Sequence, residues 1–315
     1  MSVNKYLKNL NRLEFVVTHA CTGRCIHCSE GGNGGGGHIP PVAAEIIRTV
    51  RNDYDITSVM TFGGEPLLFP ATVTAIHGTA AECGVQSRQL ITNGFFGAEG
   101  DALVKAAEAL AKSGVNSLLI SADAFHQEFI PLERVYAFAA AAKKAGIEGI
   151  RLQPAWLVSR DDDNEYNHRT RECLAALSEL ELPESQGNVI FPAGNAVKYL
   201  SEYFERQPLD MSFRCGSAPY TDSLDDIYSL SINPDGSVTA CSFTIGNILR
   251  EDIRDILERY DPFASPAMSA LINGGISALN DYAAGRSIHI DCGDCFSPCN
   301  LCRKISEALK ANDIA

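Results

Sequence analysis

The sequence predicts an α/β fold, a partial (β/α)6 TIM-like barrel followed by a small α+β domain rich in cysteine. Short apolar runs alternate with helical patterns from residue 13 to about residue 190, as in a chain built from βα units. After about residue 206, strand–turn–strand signals around Pro234-Asp235-Gly236 and closely spaced cysteines replace that alternation. We therefore expect one domain over residues 1–205 and a second over residues 206–315.

The apolar runs predict barrel strands at 13–17, 58–62, 89–92, 117–121 and 149–153, with 188–191 as a sixth. Two of the intervening helical patterns have apolar residues three and four positions apart and end at a glycine. These are Leu103, Ala107 and Leu110 before Gly114, and Leu132, Val135, Phe138, Ala139 and Ala142 before Gly146. In such a barrel the chemistry is expected at the C-terminal ends of the strands.

The composition excludes several classes of partner. The chain has 315 residues and 45% hydrophobic content, and its net charge of -13 repels nucleic-acid phosphates and anionic membranes. It shows neither a signal peptide nor an apolar run of the roughly 20 residues that span a bilayer. We expect a cytoplasmic protein whose eleven cysteines bind metal rather than form disulfides.

The first cysteine motif, Cys21-Thr-Gly-Arg-Cys25-Ile-His-Cys28, directly follows the first strand. Three thiolates at this spacing can bind three irons of a [4Fe-4S] cubane and leave the fourth iron open. The alternative from spacing alone is a structural zinc site, which needs a fourth ligand. The nearby candidates are His19, His27 and His38.

The CxxxCxxC spacing, together with Gly63-Gly64-Glu65-Pro66 after the second strand, resembles the radical S-adenosylmethionine (SAM) superfamily. The resemblance implies that Cys21, Cys25 and Cys28 are catalytic cluster ligands. It implies that SAM chelates the open iron and is cleaved by one electron to a 5'-deoxyadenosyl radical. It also implies that Glu65 and nearby carbonyls accept hydrogen bonds from the SAM ammonium.

The same resemblance assigns further SAM contacts. His27, just before the third cysteine, would pack near the adenine, and Ser121 would contact the carboxylate or the ribose. Arg151 would pair with the carboxylate, and Asn93 or Asp123 would serve the ribose. The complete set of predicted cofactor-binding residues is His27, Gly63, Gly64, Glu65, Pro66, Asn93, Ser121, Asp123, Arg151 and Gln153.

Other features lie outside these motifs. His126 is predicted near the barrel mouth, as a substrate contact or as a structural histidine. Cys83 and Cys173 fall in helical patterns, which favours buried structural thiols. The glycine-rich segment 31–37 is predicted to be a mobile loop over the site. A phosphate-binding loop is the weaker alternative, since no Gly-Lys-Ser/Thr sequence follows it.

A second set of cysteines occupies the C-terminal third: Cys215, Cys241, Cys292, Cys295, Cys299 and Cys302. With the sequence GSVTAC at 236–241, this set resembles the auxiliary-cluster extensions called SPASM and twitch domains. The resemblance implies at least one auxiliary [4Fe-4S] cluster, for which all six cysteines are candidate ligands. Zinc is the alternative metal for this spacing.

The ligands of that cluster stay open at the level of sequence. A twitch-like arrangement would use the four residues Cys215, Cys241, Cys292 and Cys295. Cys299 and Cys302 could instead complete the site, or hold a second cluster incompletely. Eight ligands would be needed for two fully protein-ligated clusters, and six cysteines are present.

Enzymes of this architecture most often modify peptides, so the resemblance predicts a peptide maturase that crosslinks, epimerises or oxidises its substrate. The first strand begins about a dozen residues from Met1, so a separate leader-binding protein is an expected partner. A reductant such as flavodoxin or ferredoxin is the other expected partner. The alternatives are a twitch-type dehydrogenase of small-molecule alcohols and a non-catalytic zinc or iron–sulfur protein.

Overall fold

The computed structural model describes residues 3–29, 35, 37–218 and 221–312. The strands are β1 (Arg12–Val16), β2 (Ser58–Phe62), β3 (Ser87–Thr92), β4 (Ser117–Ser121), β5 (Gly149–Gln153), β6 (Ala155–Trp156), β7 (Asn188–Val189), β8 (Ser229–Ile232), β9 (Ser237–Ala240) and β10 (Phe243–Asn247). The α-helices are α1 (Glu45–Arg51), α2 (Pro70–Glu82), α3 (Gly100–Lys112), α4 (Leu132–Lys144), α5 (Glu165–Ala176), α6 (Asn195–Tyr199), α7 (Ile253–Arg259), α8 (Pro266–Ala284) and α9 (Pro298–Ala311).

The main sheet has the strand order β10-β9-β8-β1-β2-β3-β4-β5. Strands β1 to β5 pair in parallel in chain order, each joined to the next through a helical segment. The five predicted barrel strands and the α/β fold class are therefore confirmed. Parallel pairing sends the C-terminal ends of all five strands to one edge of the sheet, where the site lies.

The sixth strand differs from the prediction. Residues 188–189 pair with β6 in a separate two-stranded sheet, and the strand that lies beside β1 is β8, from the C-terminal third. Asn188 and Val189 are both exposed, whereas a central parallel strand is covered on both faces. The prediction of a strand at 188–191 in the barrel was therefore wrong in its position.

Helices α3 and α4 bury the side chains that their periodicity predicts. Leu103, Ala107 and Leu110 are buried in α3, and the buried residues of α4 are Val135, Phe138, Ala139 and Ala142. Both helices are followed by a glycine at positive φ, Gly114 at +86° and Gly146 at +90°. A residue without a Cβ adopts this left-handed conformation without strain, which ends the helix.

The two faces of the parallel sheet differ in polarity. Leu118, Ile120, Ile150 and Leu152 belong to the core under α3 and α4. Because side chains alternate along a strand, the residues between them face the concave side of the barrel. On β5 these are Arg151 and Gln153, and on β4 they are Leu119 and Ser121.

The C-terminal third continues the same sheet. Strands β9 and β10 form an antiparallel hairpin beside β8, which pairs with β1. One hydrophobic core includes Leu13 and Ile47 from the barrel and Leu257, Leu279 and Leu301 from the C-terminal helices. The main sheet and this core both include residues from before and after residue 205. The domain boundary predicted at that residue stays a prediction. In the part of the chain that is described, no helix is long and apolar enough to cross a membrane.

Candidate active site

The three N-terminal cysteines lie in the loop that follows β1. The backbone N–H of Gly23 donates to Cys21 Sγ over 3.3 Å, and the N–H of Cys28 donates to the Cys25 carbonyl over 3.2 Å. Burial raises the pKa of the Cys21 and Cys25 thiols, and the charge of neighbouring thiolates raises both further. The thiols are therefore close enough to interact, and bound iron would favour their ionised form. This donor set fits an iron–sulfur cluster.

The loop is docked against Gly63 and Gly64, at the end of β2. The N–H of Gly64 donates to the Thr18 carbonyl over 2.7 Å, and the N–H of Glu65 donates to the Ala20 carbonyl over 2.8 Å. A Cβ on Gly63 would lie 2.4 Å from the Thr18 oxygen, and one on Gly64 would lie 2.1 Å from the Ala20 oxygen. Their predicted role in binding the cofactor stays a prediction, and in this structure the two glycines admit the backbone of the cluster loop.

Glu65 connects the ends of two strands. Its side chain is fully buried, with Oε1 accepting from the Leu67 N–H at 2.8 Å and the Thr92 hydroxyl at 2.7 Å. Oε2 accepts from the Asn93 N–H at 2.8 Å. Burial raises the pKa of Glu65 to about 7, although these three hydrogen bonds favour its ionised form. Pro66 follows as the first residue of a short buried turn.

Asn93 extends this network to the cluster loop. Its Nδ2 lies 3.6 Å from Cys21 Sγ and donates to the Thr22 hydroxyl over 3.1 Å. Its Oδ1 accepts from the Phe95 N–H at 2.8 Å. The predicted ribose-binding residue thus contacts a predicted cluster ligand. A hydrogen bond to a cluster thiolate is one of the factors that set a cluster's reduction potential.

His27 lies between Phe125 and His126. Its ring centroid is 4.8 Å from each of theirs, and its Nδ1 is buried without a hydrogen-bond partner among the described residues. Burial lowers the pKa of His27 to about 4, so the ring is neutral at physiological pH. A neutral ring in this position suits the predicted contact with the SAM adenine, which stays a prediction.

Asp123, at the end of β4, is fully buried and holds His126. Its Oδ1 accepts from the N–H groups of Phe125 and His126 at 3.0 and 2.9 Å, and its Oδ2 lies 2.8 Å from His126 Nδ1. The N–H of Ala155 adds a fourth partner at 3.2 Å. Burial alone would raise the pKa of Asp123, but the adjacent His126 lowers it to about 2.

This arrangement bears on two roles of Asp123, as a metal ligand and as the predicted contact of the SAM ribose. Ligand atoms of His27, Asp123 and His126 all lie within 4.8 Å of one another, a spacing that could hold a metal ion. The carboxylate is already engaged by four donors inside the protein, so we interpret the group as a hydrogen-bonded pair beside His27. The predicted ribose contact of Asp123 stays a prediction.

The remaining predicted SAM contacts lie on the concave face. Ser121 is buried at the end of β4, and Gln153 accepts a hydrogen bond from the Ser185 hydroxyl. Arg151 is exposed on β5 and, among the described residues, has neither a hydrogen-bond nor an ion-pair partner. Its guanidinium is therefore available to an anionic group of a ligand.

A clamp on the cluster loop was not foreseen from the sequence. Asn195 Nδ2 donates to the Cys25 carbonyl over 3.1 Å, and the Asn195 N–H donates to the Cys28 carbonyl over 2.8 Å. Gly194 stands at φ +54°, where a Cβ would lie 2.3 Å from the Ser29 oxygen. A lone Gly-Asn pair is typical of any turn, so nothing in the sequence indicated this contact.

The remaining features singled out in the sequence are the other cysteines and the glycine-rich segment. Cys83 and Cys173 are half-buried rather than fully buried thiols. Most of the segment 31–37 lies outside the described residues. In the C-terminal third, Cys295 is buried, Cys241 is exposed and the other four cysteines are half-buried.

One family model matches the segment that carries the three N-terminal cysteines and the five parallel strands. Residues 15–165 match the family model described as the radical SAM superfamily. Over these residues the chain is similar to that superfamily. The predicted cofactors, SAM and a [4Fe-4S] cluster, are those of radical SAM enzymes and are confirmed at this level, and the cysteine-rich C-terminus is consistent with an auxiliary cluster.

Solved structures support the radical SAM fold. Streptococcus suis SuiB bound to S-adenosylmethionine aligns with a TM-score of 0.54 at 14% identity, covering 92% of this chain and 76% of that one. The enzyme anSMEcpe with bound AdoMet and a peptide aligns with a TM-score of 0.53 at 12% identity, covering 97% of both chains. At these identities the likeness concerns the fold alone.

The curated relatives are named for a different activity from the one that the sequence predicted. GTP 3',8-cyclase of Mycolicibacterium smegmatis is 30% identical over 240 residues, which cover 69% of this chain and 63% of the relative. A probable GTP 3',8-cyclase of Saccharolobus islandicus is 26% identical over 230 residues, which cover 67% and 70%. The chain therefore spans less than two thirds of the first relative's length.

These relatives overturn the predicted function. The peptide maturase is contradicted, because the curated relatives carry the name of a cyclase of GTP, a small molecule. The twitch-type alcohol dehydrogenase and the non-catalytic zinc or iron–sulfur protein do not match them either. A peptide substrate and a leader-binding partner are likewise not supported. The SPASM or twitch character of the C-terminal third is not confirmed.

The docking of the cluster loop on Gly64 can be tested by Gly64→Ala. The added Cβ would overlap the Ala20 carbonyl, so the variant should lose most of the iron bound by the N-terminal cysteines, measured as iron per chain after anaerobic reconstitution. Gly78→Ala is the matched control. Gly78 lies inside α2 with no atom within 4 Å of its added Cβ, so it should keep its iron and gain up to about 1 kcal/mol of stability. Wild-type iron in Gly64→Ala would refute the docking role.

Asp123→Asn tests the buried pair through its pH dependence. The lowered pKa of Asp123 stabilises the fold above its ordinary pKa near 4, and this is lost as the pH falls toward 2. Burial would lower the pKa of His126, but Asp123 raises it above its ordinary value near 6.5. The contribution of His126 to the stability of the fold is therefore fully present below pH 6.5 and is lost as the pH rises through the raised pKa. The variant should therefore lose most stability between about pH 4 and 6.5, on the order of 3 kcal/mol in chemical unfolding.

The control for this variant is Asp163→Asn. Asp163 pairs with His168 over 2.6 Å, but both side chains are exposed. Solvent screens such a pair, so its loss should change stability little at any pH. Equal losses in the two variants would show that burial of the Asp123–His126 pair does not matter.

Proposed function

We propose that the chain binds SAM at a [4Fe-4S] cluster on Cys21, Cys25 and Cys28 and removes a hydrogen atom from a polar small molecule of the purine nucleotide class. The observation that carries the first part is the convergence of three thiols, docked on Gly63-Gly64, with Glu65 and Asn93 at the edge of the parallel strands. The names of the curated relatives support the second part.

Each group around the thiols has a role in this proposal. A [4Fe-4S] cluster held by Cys21, Cys25 and Cys28, together with SAM and one electron from a reductant, would supply the radical chemistry of hydrogen abstraction. Asn93 donates to Cys21, Asn195 fixes the loop, and the neutral ring of His27 would contact the adenine.

The concave face supports a polar substrate. At its lower end, Arg12 pairs with Glu14 over 2.6 Å and donates to Gln89 over 3.4 Å, so this face carries charged and polar side chains beside apolar ones such as Leu119. At the upper end Arg151 is exposed and without a partner among the described residues. A guanidinium in this position suits a phosphate or carboxylate.

The activity test uses the anaerobically reconstituted protein with SAM, dithionite and GTP, and ATP as the comparison nucleotide. We expect 5'-deoxyadenosine, and a new product from GTP, both measured by liquid chromatography and mass spectrometry. Production of 5'-deoxyadenosine without consumption of GTP would reject the nucleotide assignment alone. Iron-loaded protein that forms neither product would reject the whole proposal.

Arg151→Ala tests the recognition of the anionic group. Loss of a charge-assisted hydrogen bond of about 1.5–3 kcal/mol should raise KM for the nucleotide or Kd for SAM about 10- to 100-fold, and the constant that changes identifies the ligand. The control is Arg134→Ala, whose guanidinium pairs with Glu99 on the helical side of the sheet. Unchanged constants in Arg151→Ala would exclude this contact.

A further inference from the structure

The six C-terminal cysteines fall into two groups, which lie on opposite sides of helix α9. Cys299 and Cys302 are three residues apart near the start of α9, so they share one face of the helix. Lys304 is two residues beyond Cys302 and therefore points to the opposite side. Its Nζ donates to the Asp294 carbonyl over 3.0 Å, which places the segment that contains Cys292 and Cys295 on that opposite side.

The face of α9 with Cys299 and Cys302 meets the turn that carries Cys241. Ser306 lies one turn below Cys302, and its hydroxyl donates to the Ser242 carbonyl over 2.6 Å. Cys241 and Ser242 form the two-residue turn between β9 and β10, with Cys241 at φ +51°. A β-hairpin usually places glycine or asparagine at such a φ, so a cysteine there is a strained choice that needs a reason.

Cys215 belongs to the same group. It packs against the same hydrophobic core as Cys302, and because Cys292 and Cys295 belong to that core too, its electrostatic neighbours are what distinguish the groups. Burial raises the pKa of Cys215 to about 11, and the charges of Cys241 and Cys299 contribute to that rise. Burial also raises the pKa of Cys302, with contributions from Cys241, Cys215 and Cys299. Each of these four thiols thus lies within electrostatic reach of another.

Cys292 and Cys295 interact with each other instead. They flank a short 3-10 turn in which the Cys295 N–H donates to the Cys292 carbonyl over 3.1 Å. Burial raises the pKa of Cys295, Lys304 opposes the rise and Cys292 adds to it. Arg206 fixes the segment by donating to the Gly293 carbonyl over 2.7 Å.

We propose that Cys215, Cys241, Cys299 and Cys302 hold one auxiliary [4Fe-4S] cluster and that Cys292 and Cys295 form a separate dithiol outside it. This differs from the twitch-like choice made from sequence, which paired Cys215 and Cys241 with Cys292 and Cys295. The proposal rests on the iron–sulfur chemistry of the proposed function. It assigns four thiolates to four irons and leaves that cluster without an open iron.

The test counts iron in a background that lacks the SAM cluster, Cys21→Ala/Cys25→Ala/Cys28→Ala. After anaerobic reconstitution this variant should retain about four irons per chain and an absorption band near 400 nm. Adding Cys302→Ser or Cys299→Ser should remove that iron, whereas Cys292→Ser or Cys295→Ser should leave it. Cys83→Ser and Cys173→Ser are matched controls, because both are half-buried thiols outside the two groups.

The outcomes separate this inference from the proposed function. Loss of iron in Cys292→Ser or Cys295→Ser, or its retention in Cys302→Ser and Cys299→Ser, would overturn the grouping while leaving the SAM cluster in place. Zinc in the triple variant in place of iron would overturn it as well. Circular dichroism melting of each variant distinguishes loss of the cluster from loss of the fold. A wild-type protein that binds no iron would reject the proposed function itself.

Discussion

The close approach of two backbone segments is the constraint on which the site depends. The loop that carries Cys21 passes over Gly63 and Gly64 so tightly that any side chain there would overlap carbonyl oxygens. This contact sets the height of the thiols above the sheet, and Glu65 and Asn93 then connect the same loop to the end of β3. The positions of the thiols are thereby fixed by the sheet itself, rather than by the loop alone.

Much of the barrel could be predicted because its signals are local. The five parallel strands are short apolar runs, and the faces of α3 and α4 follow from residues three and four positions apart. The cluster cysteines and the GGEP sequence are contiguous motifs that directly follow strands, so their place at one edge of the sheet follows from topology. These features need no knowledge of long-range packing.

The rest depended on contacts between distant segments. The strand that pairs with β1 is β8, which lies more than 200 residues after β1 in the chain. No periodicity around residues 188–191 could reveal this pairing. The proposed grouping of the C-terminal cysteines depends on the rotation of α9 and on the turn at Cys241, neither of which is contained in the spacing. The substrate class was predicted from how common peptide modification is in this architecture, and fold does not determine function.

The pairing of β8 with β1 has a consequence for the two proposed clusters. The hairpin β9–β10, which carries Cys241, and the cluster loop after β1 are attached to neighbouring strands of one hydrogen-bonded sheet. Under the proposed assignments, the separation of the two clusters would be set by this sheet, and electron tunnelling between them would not depend on a hinge. A chain shortened before β8 would instead present the bare edge of β1, and unpaired strand edges are templates for aggregation.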